Sequence, residues 1–148
     1  MSTATPVSPV LPDPATPFGA RVARRLREER LIWLTATAAD GTPQPNPVGF
    51  LWDGASFLVY CRRGAKRLEH IRCTPRVALH FDSDGHDGDI VVFTGMARSA
   101  TDEPPADQNR AYMEKYRDRI QEVFGTPKEF AAQYAEPVRI MPERVRGF

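Results

Sequence analysis

Three prolines occupy every second position of a segment that otherwise reads as a β-strand, Pro43-Gln44-Pro45-Asn46-Pro47. In an extended chain the N–H groups of alternate residues point to the same side, and proline has no N–H group, so one edge of this strand lacks donors. The other edge keeps the N–H groups of Gln44, Asn46 and Val48, against which a planar ligand could lie. The pattern therefore predicts either an edge strand protected against aggregation or a strand that receives a ligand.

Four cations fall within six residues of the segment Arg62-Arg63-Gly64-Ala65-Lys66-Arg67, between a predicted strand and a predicted short helix. The free N–H groups and the dipole of a helix N-terminus, together with such side chains, form an anion site that suits a phosphate. A solvated surface cluster is the alternative interpretation. Because this strand and the proline-containing strand are neighbours in a meander, one ligand could place a ring on the first element and a phosphate on the second.

Other kinds of chemistry have less support in the sequence. It contains no Gly-x-Ser-x-Gly elbow, no P-loop and no Gly-x-Gly-x-x-Gly after a strand. The acidic turn at residues 84–89 lacks the length and the closing glutamate of a calcium loop, and we predict no metal site. Cys61 stands beside Arg62, which could lower the pKa of its thiol, but we interpret it as a small strand residue.

Composition limits the class of protein. The 148 residues suit one domain, and 20 Lys and Arg against 19 Asp and Glu argue against a nucleic-acid partner. Two cysteines are too few for a disulfide framework, and no apolar run approaches the length of a membrane span. We therefore expect a cytoplasmic protein without a membrane or nucleic-acid partner.

Local signals predict individual features of the secondary structure. Thr16 is a candidate N-cap, residues 126–129 have the form of a capping box with Thr126 and Glu129, and Gly95 predicts a bend or bulge in its strand. One helical row contains Tyr112, Tyr116, Ile120 and Phe124, and we interpret such rows as core or as a subunit contact.

Turn and capping signals predict the order of the elements. Residues 1–16 carry four prolines and predict a disordered segment, followed by a single domain at residues 17–148. Two Asp-Gly turns, at Asp40 and Asp53, join the first three strands as antiparallel neighbours. The predicted strands are residues 31–38, 43–52, 56–62, 76–82, 89–100 and 138–145, and the predicted helices are residues 17–29, 64–73, a stretch from Pro104 to Gly125 and one from Thr126 to Pro137. This order favours a small, mostly antiparallel barrel with peripheral helices.

Several segments, in their order along the chain, carry a family resemblance: Leu31-Ile32-Trp33-Leu34-Thr35, Asp40-Gly41, Pro43 to Val48, Phe50 to Gly54, Lys66, Pro75-Arg76-Val77, Asp87 to Val91 and Pro142 to Gly147. Together they resemble the pyridoxamine 5′-phosphate oxidase-like split β-barrel proteins, and within them the F420-dependent oxidoreductases of actinobacteria. The fold that this resemblance implies is mainly β (α+β): a six-stranded antiparallel split β-barrel with peripheral helices, of the FMN-binding split barrel type.

The resemblance also implies a cofactor and the residues that bind it. It implies a homodimer that holds coenzyme F420, or alternatively FMN, in a groove shared by the subunits. The implied cofactor-binding residues are Gln44, Pro45, Asn46, Pro47 and Val48 against the ring, Arg62 and Lys66 with Arg63 or Arg67 at the phosphate, and Tyr60 and Cys61 before them. Gly49 and Phe50 would border the substrate pocket. Close relatives commonly carry a bulky residue where Gly49 stands, so we expect a widened site.

The activity implied is hydride transfer between the deazaflavin and a small organic acceptor such as an enone, an imine or a quinone-like compound. Because the cofactor carries this chemistry, no catalytic side chain is required, and Tyr60 or solvent would supply a proton. Two alternatives stay open: an FMN-binding oxidoreductase of the same superfamily, and a protein that binds or stores F420 without turnover.

Overall fold

Seven antiparallel strands form one curled sheet in the computed structural model, which describes residues 10–148. The strands are β1 (Leu31–Thr37), β2 (Pro43–Gly49), β3 (Leu51–Trp52), β4 (Phe57–Cys61), β5 (Arg76–His80), β6 (Val91–Ser99) and β7 (Glu136–Gly147). Their order in the sheet is β2-β1-β5-β6-β7-β4-β3. The two end strands are thus separated by one residue in the chain, which brings the ends of the sheet together. The fold is a split β-barrel, and the predicted fold class is confirmed.

The seventh strand arises from a break at Phe50 inside the predicted strand of residues 43–52. Before the break, β2 pairs with β1, with Gly49 opposite Leu31. After the break, β3 pairs with β4, with Leu51 opposite Leu58. The expected count of six strands is corrected to seven, because the chain crosses from one end of the sheet to the other at Phe50.

Local signals account for the helices. They are α1 (Pro17–Glu28), α2 (Lys66–Cys73), α3 (Arg110–Val123) and α4 (Pro127–Gln133), and a short 3-10 turn (Ala106–Gln108) precedes α3. The predicted N-cap at Thr16 and the predicted capping box at Thr126 with Glu129 are both present. Within residues 10–148, no helix is long and apolar enough to cross a membrane.

The described residues before α1 contact the barrel. Residues 1–9 of the predicted disordered segment lie outside the described residues. Residues 10–16 form a turn in which the N–H group of Thr16 donates to the carbonyl of Asp13. Leu11 packs against the barrel core. One apolar side chain before α1 thus contacts the domain that the sequence predicts for residues 17–148.

Two hydrophobic cores share β4 as a common wall. Its alternate residues Phe57 and Val59 lie in the barrel core, whereas Leu58 and Tyr60 lie in a second core with α3 and α4. All five residues of β4 are buried, as expected for a strand covered on both faces. α3 and α4 consequently form part of the hydrophobic interior beside the barrel, and this places them next to the end of β4.

Candidate functional site

A cavity of about 300 Å³ lies where the end of β2, the end of β4 and the helices α2 to α4 meet. Six aromatic side chains contribute to its lining: Tyr60, Tyr112, Tyr116, Phe124, Phe130 and Tyr134. We call this cavity the aromatic chamber. Its walls suit a flat, largely apolar ring.

The two sequence segments predicted to share a ligand meet at the aromatic chamber. Pro47, Val48 and Gly49 line it from β2, and Cys61 and Arg62 line it from the end of β4. β2 and β4 are not paired with each other; they lie at or near opposite ends of the sheet. Their proximity comes from the barrel closure rather than from the meander that the sequence predicted.

The N–H groups of Gln44, Asn46 and Val48 point away from the free edge of β2. Because proline cannot donate, the antiparallel ladder between β1 and β2 must use the N–H groups of Gln44, Asn46 and Val48, whose partners are Ala36, Leu34 and Ile32. Between Pro43 and Pro47, the free edge of β2 is left with carbonyl groups alone. Gln44, Pro45 and Asn46 are exposed and lie outside the chamber lining. The structure thus brings only the last part of the predicted strand to the site.

Three arginines, Arg62, Arg67 and Arg119, line the aromatic chamber, and its lining contains no Asp or Glu. The guanidinium carbon of Arg62 lies 5.8 Å from the centre of the Tyr134 ring. Within the described residues, only Arg119 of the three has an acidic partner, Glu122 at 3.5 Å. The chamber therefore combines an apolar body with an excess of positive charge, which favours an anionic ligand.

The other two predicted cations lie outside the chamber lining. Lys66 is exposed at the first position of α2. Arg63 lines a separate groove of about 440 Å³ together with Lys128, and its N–H group donates to the carbonyl of Gln133. The basic cluster is thus divided between two surfaces.

Tyr60 is not free to act as a proton donor. Its hydroxyl donates to the carbonyl oxygen of Pro104 over 2.7 Å and accepts a hydrogen bond from the side-chain amide of Asn109 over 3.2 Å. Burial raises the pKa of this hydroxyl. The ring of Tyr60 lines the chamber, and its hydroxyl is hydrogen-bonded to the segment before α3.

Cys61 has the properties of a structural residue. It is buried at the end of β4. Burial raises the pKa of its thiol, and the nearby Arg67 opposes that shift only in part. The thiol is therefore held in the protonated form, which agrees with the interpretation as a small strand residue.

The space beside Gly49 is already filled. A Cβ atom at this position would lie 3.3 Å from Cζ of Tyr116. The Tyr116 hydroxyl accepts a hydrogen bond from the N–H group of Phe50 over 2.8 Å and donates to the carbonyl of Arg30 over 2.7 Å. The expected widening at Gly49 is therefore absent, because a ring from α3 occupies the place of a strand side chain.

Phe50 lies behind the site and not in it. Its side chain is fully buried in the barrel core against Phe57 and Phe81. Lys115 of α3 donates from Nζ to the Phe50 carbonyl over 2.8 Å, and Nζ lies 3.8 Å from the centre of the Phe50 ring. Burial, with the charge of Arg30 as a second cause, lowers the pKa of Lys115 to about 8. Two side chains of α3 thus bind the main chain at the break between β2 and β3.

The aromatic residues of α3 and α4 are the part of the site that the sequence did not identify. Tyr112, Tyr116, Ile120 and Phe124 follow one another at intervals of four, which indicates a buried helical row. We interpreted such rows as core or as a subunit contact. In the structure this row faces the end of β2. The periodicity of a helix shows that a row is buried but not which element it faces. Within residues 10–148, no cluster of three His, Cys, Asp or Glu side chains could hold a metal ion.

Comparison with known proteins agrees with the fold and the order of motifs. Residues 18–148 match the pyridoxamine 5′-phosphate oxidase family, and the chain belongs to this family. No curated protein sequence gives a significant match.

Solved structures share the fold at low sequence identity. An F420 reductase is 20% identical, with a TM-score of 0.63, covering 83% of this chain and 94% of its own. A candidate pyridoxamine 5′-phosphate oxidase from Listeria innocua is 17% identical (TM-score 0.62), covering 86% and 94%. The heme-storage protein HutZ from Vibrio cholerae is 14% identical (TM-score 0.59), covering 86% and 92%. These similarities establish the split-barrel fold. The three proteins that share it are described as a reductase, an oxidase and a heme-storage protein.

Proposed function

We propose that this protein is an F420-dependent oxidoreductase that transfers a hydride between the deazaflavin cofactor and a small organic acceptor. The observation that carries the proposal is the aromatic chamber, which has six aromatic side chains and three arginines and no carboxylate in its lining. A ligand that matches it is a flat ring with an anionic group, and deazaflavin and flavin nucleotides both have this form.

Residues from three elements would hold the cofactor. The wall formed by Pro47, Val48 and Gly49 would contact the ring, and Arg62 and Arg67 would bind the phosphate. Lys66, at the start of α2, would add positive charge from outside the chamber. Reduced F420, when bound, supplies the hydride. The protein's part is to orient the ring and to exclude water with the aromatic side chains of α3 and α4.

FMN is the alternative cofactor, since the family is that of pyridoxamine 5′-phosphate oxidase and the chamber does not distinguish two tricyclic rings that both carry a phosphate. Purified protein that is yellow, with a bound flavin spectrum, would favour FMN. Tight F420 binding without reduction of any compound in a broad panel of acceptors would instead favour a binding or storage protein.

We also propose a homodimer in the cytoplasm. Leu31 is 58% exposed at the edge of the chamber, and β2 beside it is exposed at Pro43 to Pro47. A second copy packed there would cover this apolar surface and close the chamber. The described cysteines, Cys61 and Cys73, are both free, which suits a reducing compartment.

The cofactor assignment is tested by fluorescence titration with F420 and, separately, with FMN. Arg67→Ala removes a charge-assisted contact in the chamber, and we expect the affinity for the bound cofactor to fall about tenfold or more. Lys66→Ala should weaken binding less, because Lys66 lies outside the lining.

Arg72→Ala is the matched control, since Arg72 is on the same helix but is exposed and paired with Glu69. Its affinity should equal that of the wild type. The phosphate assignment is wrong if Arg67→Ala and Arg72→Ala bind the cofactor equally well. The wider proposal fails if the wild-type protein binds neither cofactor.

A further inference from the structure

Tyr112 is a buried tyrosine that lines the aromatic chamber from the first turns of α3 and has only 3% of its surface exposed. Three rings surround it. The Tyr60 ring lies edge-on at 4.9 Å between centres, the Tyr116 ring lies at 4.7 Å, and the Phe130 ring is stacked at 6.1 Å. These contacts hold the Tyr112 ring in one position.

Within residues 10–148, the Tyr112 hydroxyl has no hydrogen-bond partner. Apart from the main-chain bonds of α3, the one hydrogen bond of this residue in that range is that of its N–H group to Oδ1 of Asn109. The oxygen of this hydroxyl is not completely enclosed by other atoms, so it borders open space. Because Tyr112 lines the aromatic chamber, we take this open space to be the chamber.

The other tyrosines of the chamber differ from Tyr112 in this respect. The hydroxyl of Tyr60 donates to Pro104, and that of Tyr116 is bound to Arg30 and Phe50. Tyr134 is only half-buried, so water can satisfy its hydroxyl. A buried hydroxyl that lacks a partner is unfavourable, and in native proteins such a group usually has a functional explanation.

We infer that Tyr112 is the hydrogen-bond donor with which the aromatic chamber binds a ring carbonyl of a planar anionic ligand. The identity of the ligand rests on the proposed function: the carbonyl belongs either to the cofactor ring or to a quinone- or enone-like acceptor. Burial, with Tyr116 as the next cause, raises the pKa of the Tyr112 hydroxyl, so the group keeps its proton and acts as a donor. The arginines of the chamber would bind the anionic group, and Tyr112 would fix the orientation of the ring.

Two synthetic probes isolate this contact without any cofactor. Anthraquinone-2-sulfonate has a flat tricycle, an anionic group and two carbonyl oxygens, whereas anthracene-2-sulfonate has the same tricycle and anion but no carbonyl. Calorimetric or fluorescence titration of the full chain should show about threefold to tenfold tighter binding of the quinone, as expected for one hydrogen bond. Tyr112→Phe should abolish this preference and leave the affinity for anthracene-2-sulfonate unchanged.

Tyr60→Phe is the matched control, because it also removes a phenol from the chamber lining, but one whose hydroxyl is already bound to Pro104. The preference for the quinone should persist in this variant. The inference is overturned if the wild type shows no preference, if the preference survives in Tyr112→Phe, or if neither probe binds. Tyr112→Phe should also unfold at the same denaturant concentration as the wild type, and a clear loss of stability would show that the hydroxyl has an internal partner.

Titration with F420 and FMN separates this inference from the proposed function. A preference for the quinone probe in a protein that binds neither cofactor would support the role of Tyr112 and reject the cofactor assignment. Where a cofactor binds, weaker binding to Tyr112→Phe places the hydrogen bond on the cofactor ring. Unchanged cofactor affinity, together with the lost preference for the quinone, places it on the acceptor.

Discussion

At the scale of single residues, the environment of Lys115 changes the protonation of a side chain outside the chamber lining. Its ammonium group is partly buried between the Phe50 carbonyl and the Phe50 ring, close to Arg30 and Glu29. The carbonyl and the ring favour the charged form, whereas burial and Arg30 disfavour it. The net effect lowers the pKa of Lys115 from 10.5 to about 8.

This pKa predicts how stability depends on pH. Between about pH 8 and pH 10.5 the unfolded chain keeps the Lys115 proton while the folded protein loses it, so the unfolded state binds more protons. The contribution of Lys115 to the free energy of unfolding therefore rises with pH across this interval. We expect the free energy of unfolding, measured by urea denaturation at pH 7, 8, 9 and 10, to change more positively with pH in the wild type than in Lys115→Met. The buried thiol of Cys61, whose pKa is raised, acts in the direction opposite to Lys115 and does so equally in both proteins.

The wild type must be compared with Lys115→Met because other groups titrate in a similar pH range. Burial raises the pKa values of Tyr60, Tyr112 and Tyr116, and these phenols lower stability as pH rises beyond about 10 in both proteins. Equal pH slopes in the wild type and in Lys115→Met would show that Lys115 has an ordinary pKa.

At the scale of elements, α3 completes the barrel where the sheet is interrupted. The N–H group of Phe50 falls at the break between β2 and β3, and its hydrogen-bond partner is the Tyr116 hydroxyl. The absent side chain of Gly49 leaves room for the Tyr116 ring to approach. Strand and helix are therefore complementary at this point: the glycine on one allows the tyrosine on the other.

Removal of the Tyr116 hydroxyl should be costly for this reason. Tyr116→Phe keeps the ring but leaves the N–H group of Phe50 and the carbonyl of Arg30 without this partner, and buried unpaired groups cost about 1–3 kcal/mol. We expect a loss of about 2 kcal/mol in the free energy of unfolding, measured by urea denaturation.

Tyr112→Phe removes a hydroxyl from the same face of the same helix and serves as the control, with no expected loss. A change of less than about 0.5 kcal/mol in Tyr116→Phe would mean that solvent replaces the hydroxyl and that α3 is not needed to close the barrel.

At the scale of the whole molecule, the proposed dimer makes a prediction about mass in solution. Leu31 is exposed beside the chamber, at the start of the strand β1 that pairs with the end strand β2. Analytical ultracentrifugation of the wild type at micromolar concentration should give twice the mass of the chain. Leu31→Glu should shift the protein toward the monomer, because a charge would replace a buried apolar contact.

Val123→Glu is the control for this experiment. Val123 is 50% exposed but lies at the end of α3, outside the chamber lining. This variant should stay dimeric. A monomeric wild type, or two variants that dissociate equally, would contradict the proposed interface.

Features that depend on neighbouring residues could be predicted from the sequence alone. The capping box of α4 follows from Thr126 and Glu129, and the irregularity between β6 and β7 falls at Gly95, where the sequence predicted a bend or bulge. The resemblance carried by the order of the motifs led to the correct family. Such features are predictable because a cap or a bulge is decided by sterics and hydrogen bonds within a few residues.

Which chemical groups are available at the site depends on contacts between distant parts of the chain, and these are visible in the folded protein alone. The hydroxyl of Tyr60 is bound to Pro104, and the space beside Gly49 is filled by the ring of Tyr116. In both cases the partner is far away in the chain. The N–H groups of Gln44, Asn46 and Val48 are used by β1, and the hydroxyl of Tyr112 is left without a partner among the described residues. Each outcome depends on the path of the chain through the barrel closure at Phe50, and no local pattern of residues records that path.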